Sequence, residues 1–260
     1  MLLAIDVGNT QTVIGMFTPG RGNQELLHHW RISSNAERTA DEMAMIVSQL
    51  LDLQGFDIDR TVTGIAVASV VPRVTAALRE MTEKWFPVKT VIVEPGIRTG
   101  MPILYDNPQD VGADRIADAV AAYDLYGGPT IVIDFGTATT VEAISAAGEY
   151  LGGAIIPGIE ISLDALFGRA AALRRVELVE PRKVIGKNTV EAIQSGSVYG
   201  FAAQVDGLCA RFQQELGQEA TAVATGGLAG LITPLTERID HHEPWLTLYG
   251  LRIIYERNVG

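Results

Sequence analysis

A nine-residue segment that occurs twice, about half the chain apart, limits the fold more than any other feature. Ile5-Asp6-Val7-Gly8-Asn9-Thr10-Gln11-Thr12-Val13 aligns without gaps on Ile133-Asp134-Phe135-Gly136-Thr137-Ala138-Thr139-Thr140-Val141, an offset of 128 residues in a chain of 260. The isoleucine, aspartate, glycine, the threonine at Thr12 and Thr140, and the final valine are identical in the two copies. Each copy reads as an apolar strand ending in Asp-x-Gly, a polar turn, and a second apolar strand over 13–17 or 141–144. Each half later carries a further strand ending in small residues, over 64–69 and 221–227. The expected fold is α/β, with two similar lobes that each open on a hairpin. The expected division is 1–127 and 128–260.

Helical periodicity fills the gaps between these strands. Thr39-Ala40-Asp41-Glu42 opens an amphipathic run to Leu51, with Met43, Ile46, Val47 and Leu50 near helical spacing. Further helices are expected over 74–86, from about 110 to the Gly127-Gly128 stop, and over 163–175, 189–216 and 246–257. Apolar residues make up 47% of the chain and charged residues 20%, which suits a folded globular protein. The net charge of −11 is spread rather than blocked. Such a surface repels phosphodiester backbones and anionic lipids, so nucleic acid and membrane are not expected partners. No apolar run reaches the roughly 18 residues that span a bilayer. The first residues run straight into a strand, so no signal peptide is expected and the location is expected to be cytoplasmic. Cys209 is the single cysteine, in an apolar helical stretch, and reads as a buried spectator. His28-His29 and His241-His242 are adjacent pairs that do not share a face, a poor pattern for metal binding.

Asp6-Val7-Gly8-Asn9-Thr10 admits two readings. It can be a plain tight turn in which Asp and Asn satisfy the backbone. It can also be a phosphate-handling loop, where glycine lets amides approach phosphate oxygens and the carboxylate holds Mg²⁺ through water. The second copy at Asp134-Phe135-Gly136-Thr137 favours phosphate. No Walker A motif is present: Gly186-Lys187-Asn188-Thr189 comes near, but the upstream glycine is replaced by Pro181. In Gly112-Ala113-Asp114-Arg115 the aspartate falls in the first turn of an expected helix, where the macrodipole favours a carboxylate. It could equally serve as general base toward a hydroxyl. Arg115 offers a planar fork for a substrate carboxylate, and Tyr105 could add a hydroxyl to the same pocket.

Taken together these stretches resemble the type III pantothenate kinases, a branch of the actin/hexokinase/Hsp70-like ATPases. The matching segments are Asp6-Val7-Gly8-Asn9-Thr10, Gly112-Ala113-Asp114-Arg115, Asp134-Phe135-Gly136-Thr137-Ala138-Thr139-Thr140, Gly152-Gly153-Ala154-Ile155-Ile156-Pro157-Gly158, Gly186-Lys187-Asn188-Thr189 and Thr225-Gly226-Gly227, in the family's order. The resemblance implies two duplicated ribonuclease H-like lobes with the active site in the cleft between them, and ATP-dependent phosphorylation of pantothenate. It implies ATP binding by Asp6, Val7, Gly8, Asn9, Thr10, Gln11, Thr12, Val13 and Thr137, with Asp6 near Mg²⁺. Pantothenate would meet Tyr105, Gly112, Ala113, Asp114, Arg115 and Thr189, with Asp114 as catalytic base. Asp134 would hold a monovalent cation, K⁺ or NH₄⁺. The resemblance also implies a homodimer whose partner subunit completes the pantothenate pocket. Another phosphotransferase of the same fold, an Hsp70- or actin-like conformational module, and a non-catalytic regulator are the rival readings. The chain leaves little room for the insertions the conformational module would need.

Overall fold

The computed structural model describes residues 1–20, 25–170 and 173–259. They form two compact units. The first comprises Met1–Met101, Asp106–Ala121 and Thr247–Gly260, and the second comprises Pro102–Tyr105 and Ala122–Leu246.

In the first unit β1 (Leu2–Val7), β2 (Gln11–Phe17) and β3 (Leu26–Ser33) form an antiparallel meander. Helices α1 (Ala40–Asp52) and α2 (Ile58–Thr61) lead to β4 (Gly64–Ser69), and α3 (Pro72–Lys84) leads to β5 (Lys89–Ile92). Both later strands run parallel to β1, giving the order β3-β2-β1-β4-β5. Helix α4 (Ala113–Tyr126) follows, and the division between units falls inside it. The second unit repeats the scheme with β6 (Thr130–Phe135), β7 (Ala138–Ile144), β8 (Tyr150–Pro157), α5 (Ile159–Arg169), α6 (Thr189–Leu216), β9 (Thr221–Thr225), α7 (Ala229–Ile232) and β10 (His241–His242). Its sheet order, β8-β7-β6-β9-β10, matches the first in topology and direction. The duplicated α/β fold expected from the repeat is therefore present. Helix α8 (Leu246–Val259) closes the chain.

Burial explains why these segments hold. On one face of the first sheet, Leu3, Ile5 and Val7 pack with Met43, Val47 and Leu51 of α1 and with Val74, Leu78 and Met81 of α3. Helix α1 begins where its sequence signals a start: Thr39 and Glu42 form a reciprocal capping box, worth about 1 kcal/mol. The other face is covered by α8, whose Leu248 fills the space beside Gly15 and whose Tyr255 fills that beside Gly64. In the second unit Ile131, Ile133 and Phe135 pack with Val198, Ala202, Val205 and Cys209 of α6. Burial pushes the Cys209 thiol up to about 12, so it is chemically quiet.

The repeat itself is not gap-free in three dimensions. Val7 pairs with Thr12 across the first hairpin, whereas Phe135 pairs with Thr139 across the second. The second turn is one residue shorter. Thr12 therefore corresponds to Thr139, not Thr140, and both are fully buried. In a strand a slip of one residue reverses every side chain, so burial fixes this register.

Other differences are local. The helix expected over 163–175 lies at Ile159–Arg169, because it starts directly on Gly158 after β8; residues 171–172 lie outside the described residues. Strands β3 and β8, which alternate between half-buried and exposed positions apart from the buried Tyr150 that opens β8, are not among the expected strands. A single cut at 127/128 does not describe the packing. Helix α8 returns to the first unit, and Pro102–Tyr105 joins the second, where Tyr150 N–H donates to Pro102 O (2.9 Å) and Leu104 N–H donates to Tyr150 O (2.8 Å).

Candidate functional site

The first hairpin turn is built to present backbone. Gly8 N–H donates to Gln11 O (3.0 Å), closing the turn. Ser34, just past β3, staples it: its hydroxyl donates to Gly8 O (2.7 Å) and lies 2.9 Å from Thr12 Oγ1, and its N–H donates to Thr10 O (2.9 Å). Asn9, Thr10 and Gln11 are left exposed at the tip, and Asp6 is half-buried at the end of β1. Val7 and Thr12 point into the core, so they can serve a ligand only through the backbone. Val13 is half-buried and pairs with Asp6. Sequence reading missed Ser34, since a serine beyond an unforeseen edge strand carries no local signal.

Gly112-Ala113-Asp114-Arg115 starts α4 beside that hairpin. Val70, which follows β4, donates its N–H to Val7 O (3.1 Å), and a Cβ on Gly112 would lie 3.6 Å from Val70 Cγ1. The start of α4 thus stands at the C-terminal ends of β1 and β4, where ligands of open α/β sheets bind. Asp114 Oδ1 accepts the Arg115 N–H (2.8 Å), and it occupies the space a Gly112 side chain would need. The glycine therefore sets the orientation of the carboxylate. Ala113 is buried and anchors the turn, while Asp114 and Arg115 are half-buried. Asp6 and Asp114 are carboxylates of one unit at one end of one sheet.

The second hairpin repeats the turn, with Gly136 N–H donating to Ala138 O (3.1 Å). The place of Ser34 is taken by Gly158, whose N–H donates to Thr137 O (3.1 Å). The shorter turn brings the Gly136 carbonyl to 2.6 Å from where a Gly158 Cβ would sit, so only glycine fits. Without a serine there, Thr139 Oγ1 is buried with no hydrogen-bond partner among the described residues. Thr137 is exposed at the turn and Asp134 is half-buried at the end of β6. Gly226, at φ +94°, lets the turn after β9 press on this point. A Cβ there would overlap Asp134 Oδ1 and lie 2.6 Å from Phe135 N.

Tyr105 lies in the second unit, packed edge-on against Tyr150 (6.3 Å between centroids), whereas Gly112 to Arg115 belong to the first. Thr189 opens α6 and is exposed. The Gly186-Lys187-Asn188-Thr189 segment acts as a helix start. Asn188 Oδ1 accepts from Glu191 N–H (2.9 Å), Glu191 Oε2 accepts from Lys187 N–H (2.9 Å), and Gly186 abuts Ala192 N at a Cβ distance of 2.5 Å.

Two ion sites can be tested against these residues. Among the described residues no group of three or more His, Cys, Asp or Glu is gathered as a metal cage. A half-buried carboxylate such as Asp6 beside an amide-bearing turn fits Mg²⁺, which keeps waters and takes phosphate oxygens rather than a protein shell. Asp134, a half-buried carboxylate with the Gly226 turn close against it, offers the hard oxygen that a monovalent cation takes.

Known proteins supply the rest. The type III pantothenate kinase profile matches residues 2–211. The type III pantothenate kinase of Streptomyces griseus is 56% identical over 267 residues, covering 100% of this chain and 99% of that protein. That of Moorella thermoacetica is 56% identical over 258 residues, covering 99% and 100%. Among solved structures, a Campylobacter jejuni protein provisionally assigned as a Baf family transcriptional activator aligns with a TM-score of 0.61 at 19% identity, covering 99% of this chain and 98% of that one. A Listeria monocytogenes protein provisionally assigned as an N-acetylmannosamine kinase aligns at 0.54 and 13%, covering 100% and 99%. At such identities these two establish the fold alone, the duplicated actin/hexokinase-like architecture. Full-length identity above one half, together with the profile match, makes this chain a member of the type III pantothenate kinase family.

Proposed function

We propose how the residues of this chain divide the reaction of its family, the ATP-dependent phosphorylation of pantothenate to 4′-phosphopantothenate that begins coenzyme A biosynthesis. Asp6 and Asp114 carry the assignment, since both stand at the C-terminal ends of β1 and β4 in one unit. The amides and hydroxyls of the Asp6 to Val13 hairpin bind ATP phosphates, and Thr137 contacts the same nucleotide. Asp114 accepts the proton of the pantothenate hydroxyl as that oxygen attacks the γ-phosphorus. Arg115 pairs with the pantothenate carboxylate, while Tyr105, Gly112, Ala113 and Thr189 shape its pocket. Asp6 would hold Mg²⁺ and Asp134 a monovalent cation, K⁺ or NH₄⁺; when bound, these ions offset the negative charge on the phosphate oxygens.

On the same reading the enzyme works as a cytoplasmic homodimer. Val184, Ile185 and Val190, exposed by 62%, 75% and 49%, flank Thr189. Apolar surface around a substrate residue is what a second subunit would cover. Among the described residues no helix is long and apolar enough to cross a membrane.

Coupled ATP turnover with pantothenate, with and without K⁺, tests the scheme. Pantothenate-dependent ADP release that requires K⁺ is expected. Turnover indifferent to monovalent cations removes Asp134 from its role. ATP binding without turnover under any salt removes pantothenate as acceptor. Arg115→Lys is expected to raise the pantothenate KM roughly tenfold with little change for ATP, because an ammonium cannot make the bidentate contact. An unchanged pantothenate KM would show that Arg115 does not read the carboxylate.

A further inference from the structure

Strand β8 carries two adjacent glycines, Gly152 and Gly153, and the kinase scheme above gives neither a role. The structure shows what each one makes room for. Gly153 lies against the carboxylate of Glu142 on β7: a Cβ would overlap its Oε2 and the Val141 carbonyl, and would sit 2.8 Å from Glu142 Cδ. Gly152, at φ +129°, lies under Tyr105, whose ring carbons Cδ2 and Cε2 are 3.5 Å from its Cβ position. Any other residue at Gly152 would be strained.

Tyr150, two residues before Gly152 on the same strand, is fully buried. Its hydroxyl donates to Glu142 Oε2, and Glu142 is itself 1% exposed. A polar side chain this deep is costly unless hydrogen-bonded, and the Tyr150 hydroxyl supplies such a bond. Tyr150 also grips the segment bearing Tyr105 twice over. Its backbone exchanges hydrogen bonds with Pro102 and Leu104, and its ring meets Tyr105 edge to face at 61°. The backbone bonds hold the 102–105 segment against β8, and the phenol held by Glu142 sets the ring plane against which Tyr105 packs.

We propose that Tyr150, locked by Glu142, is a positioning residue for acceptor recognition, and that Gly152-Gly153 is the platform that admits this arrangement. The proposal rests on the reading that Tyr105 contacts pantothenate. Losing one hydrogen bond behind a binding residue corresponds to a change of about threefold to tenfold in affinity.

Steady-state kinetics on the full-length protein separate the possibilities. Tyr150→Phe is expected to raise the pantothenate KM about threefold to tenfold, with the ATP KM within about twofold. In a double-mutant cycle Tyr150→Phe adds nothing to Tyr105→Ala, since it acts through that side chain. Should Tyr150→Phe not fold, Glu142→Gln keeps the volume and an acceptor oxygen. It is expected to give a smaller rise, about twofold to threefold, again for pantothenate alone. Equal rises for both substrates, or full additivity with Tyr105→Ala, overturn the proposal by showing a merely structural pair. A raised pantothenate KM in Tyr105→Ala with none in Tyr150→Phe or Glu142→Gln also overturns it, while sparing the Tyr105 contact. An unchanged KM in Tyr105→Ala overturns the contact reading, and the proposal with it.

Discussion

Asp114→Asn is expected to lower kcat by about 10²–10⁴ while leaving folding almost untouched. Asparagine matches aspartate in size, and its amide oxygen can keep the bond from Arg115 N–H that orients the native side chain. It also fits the space that Gly112 leaves open. What it cannot do is take a proton from the attacking hydroxyl. Phosphoryl transfer depends mostly on position and charge, so the residual activity would reflect ATP and pantothenate still held together. The pantothenate KM should move far less than kcat. Steady-state rates beside a thermal melt check this. Turnover within about threefold of the parent would remove Asp114 as base and leave it as a first-turn acid stabilising α4.

Gly250→Ala is expected to be the more damaging change for stability. Alanine is the better helix former by about 1 kcal/mol, so on propensity alone the substitution would help α8. Contact decides the other way. A Cβ at this position would overlap the Ala117 carbonyl oxygen and lie 2.8 Å from Ala117 Cα, so backbone must move, not a pliant side chain. Overpacking of this kind costs about 3 kcal/mol, enough to lower Tm by roughly 6–12 °C in a protein of this size. Ala117 lies one turn beyond Asp114, so displacement of α4 should also reduce kcat. Gly207→Ala in α6, where no described atom beyond the helix's own backbone and the adjoining residues lies within 4 Å of the new methyl group, is the control and should gain up to about 1 kcal/mol. A Gly250→Ala melt within about 1 °C of the parent would mean that the two helices can part without cost.

Much of the molecule is legible along the chain because its signals are local. Helix α6 starts at Asn188 as cap and stops at Gly217, in the left-handed conformation, so both ends are written in adjacent residues. The same holds for the Thr39 box of α1 and for β4. Strands β3 and β8 carry weaker signals, since their half-buried alternation mixes histidine, arginine and glycine into the pattern. Within the candidate site, Asp6, Asp114 and Asp134 stand out in the sequence because each precedes or follows a glycine at a strand or helix end. Ser34, Glu142 and Tyr150 do not stand out. Their partners, Gly8, Gly153 and Tyr105, are remote in sequence or lie on neighbouring strands, and only pairing brings them into contact.

By itself the sequence determined that this is a duplicated α/β protein with hairpins at Asp6 and Asp134 and a helix start at Gly112-Ala113-Asp114-Arg115. Short-range backbone preferences and hydrophobic period are enough for that. Tertiary structure decided three things. The second hairpin is a residue shorter, so that Thr139 rather than Thr140 enters the core beside Gly158. Helix α8 closes the first sheet, and Tyr105 packs with the second unit. All three depend on which surfaces bury one another across long stretches of chain, and that is settled by packing volume and register, not by any local residue preference.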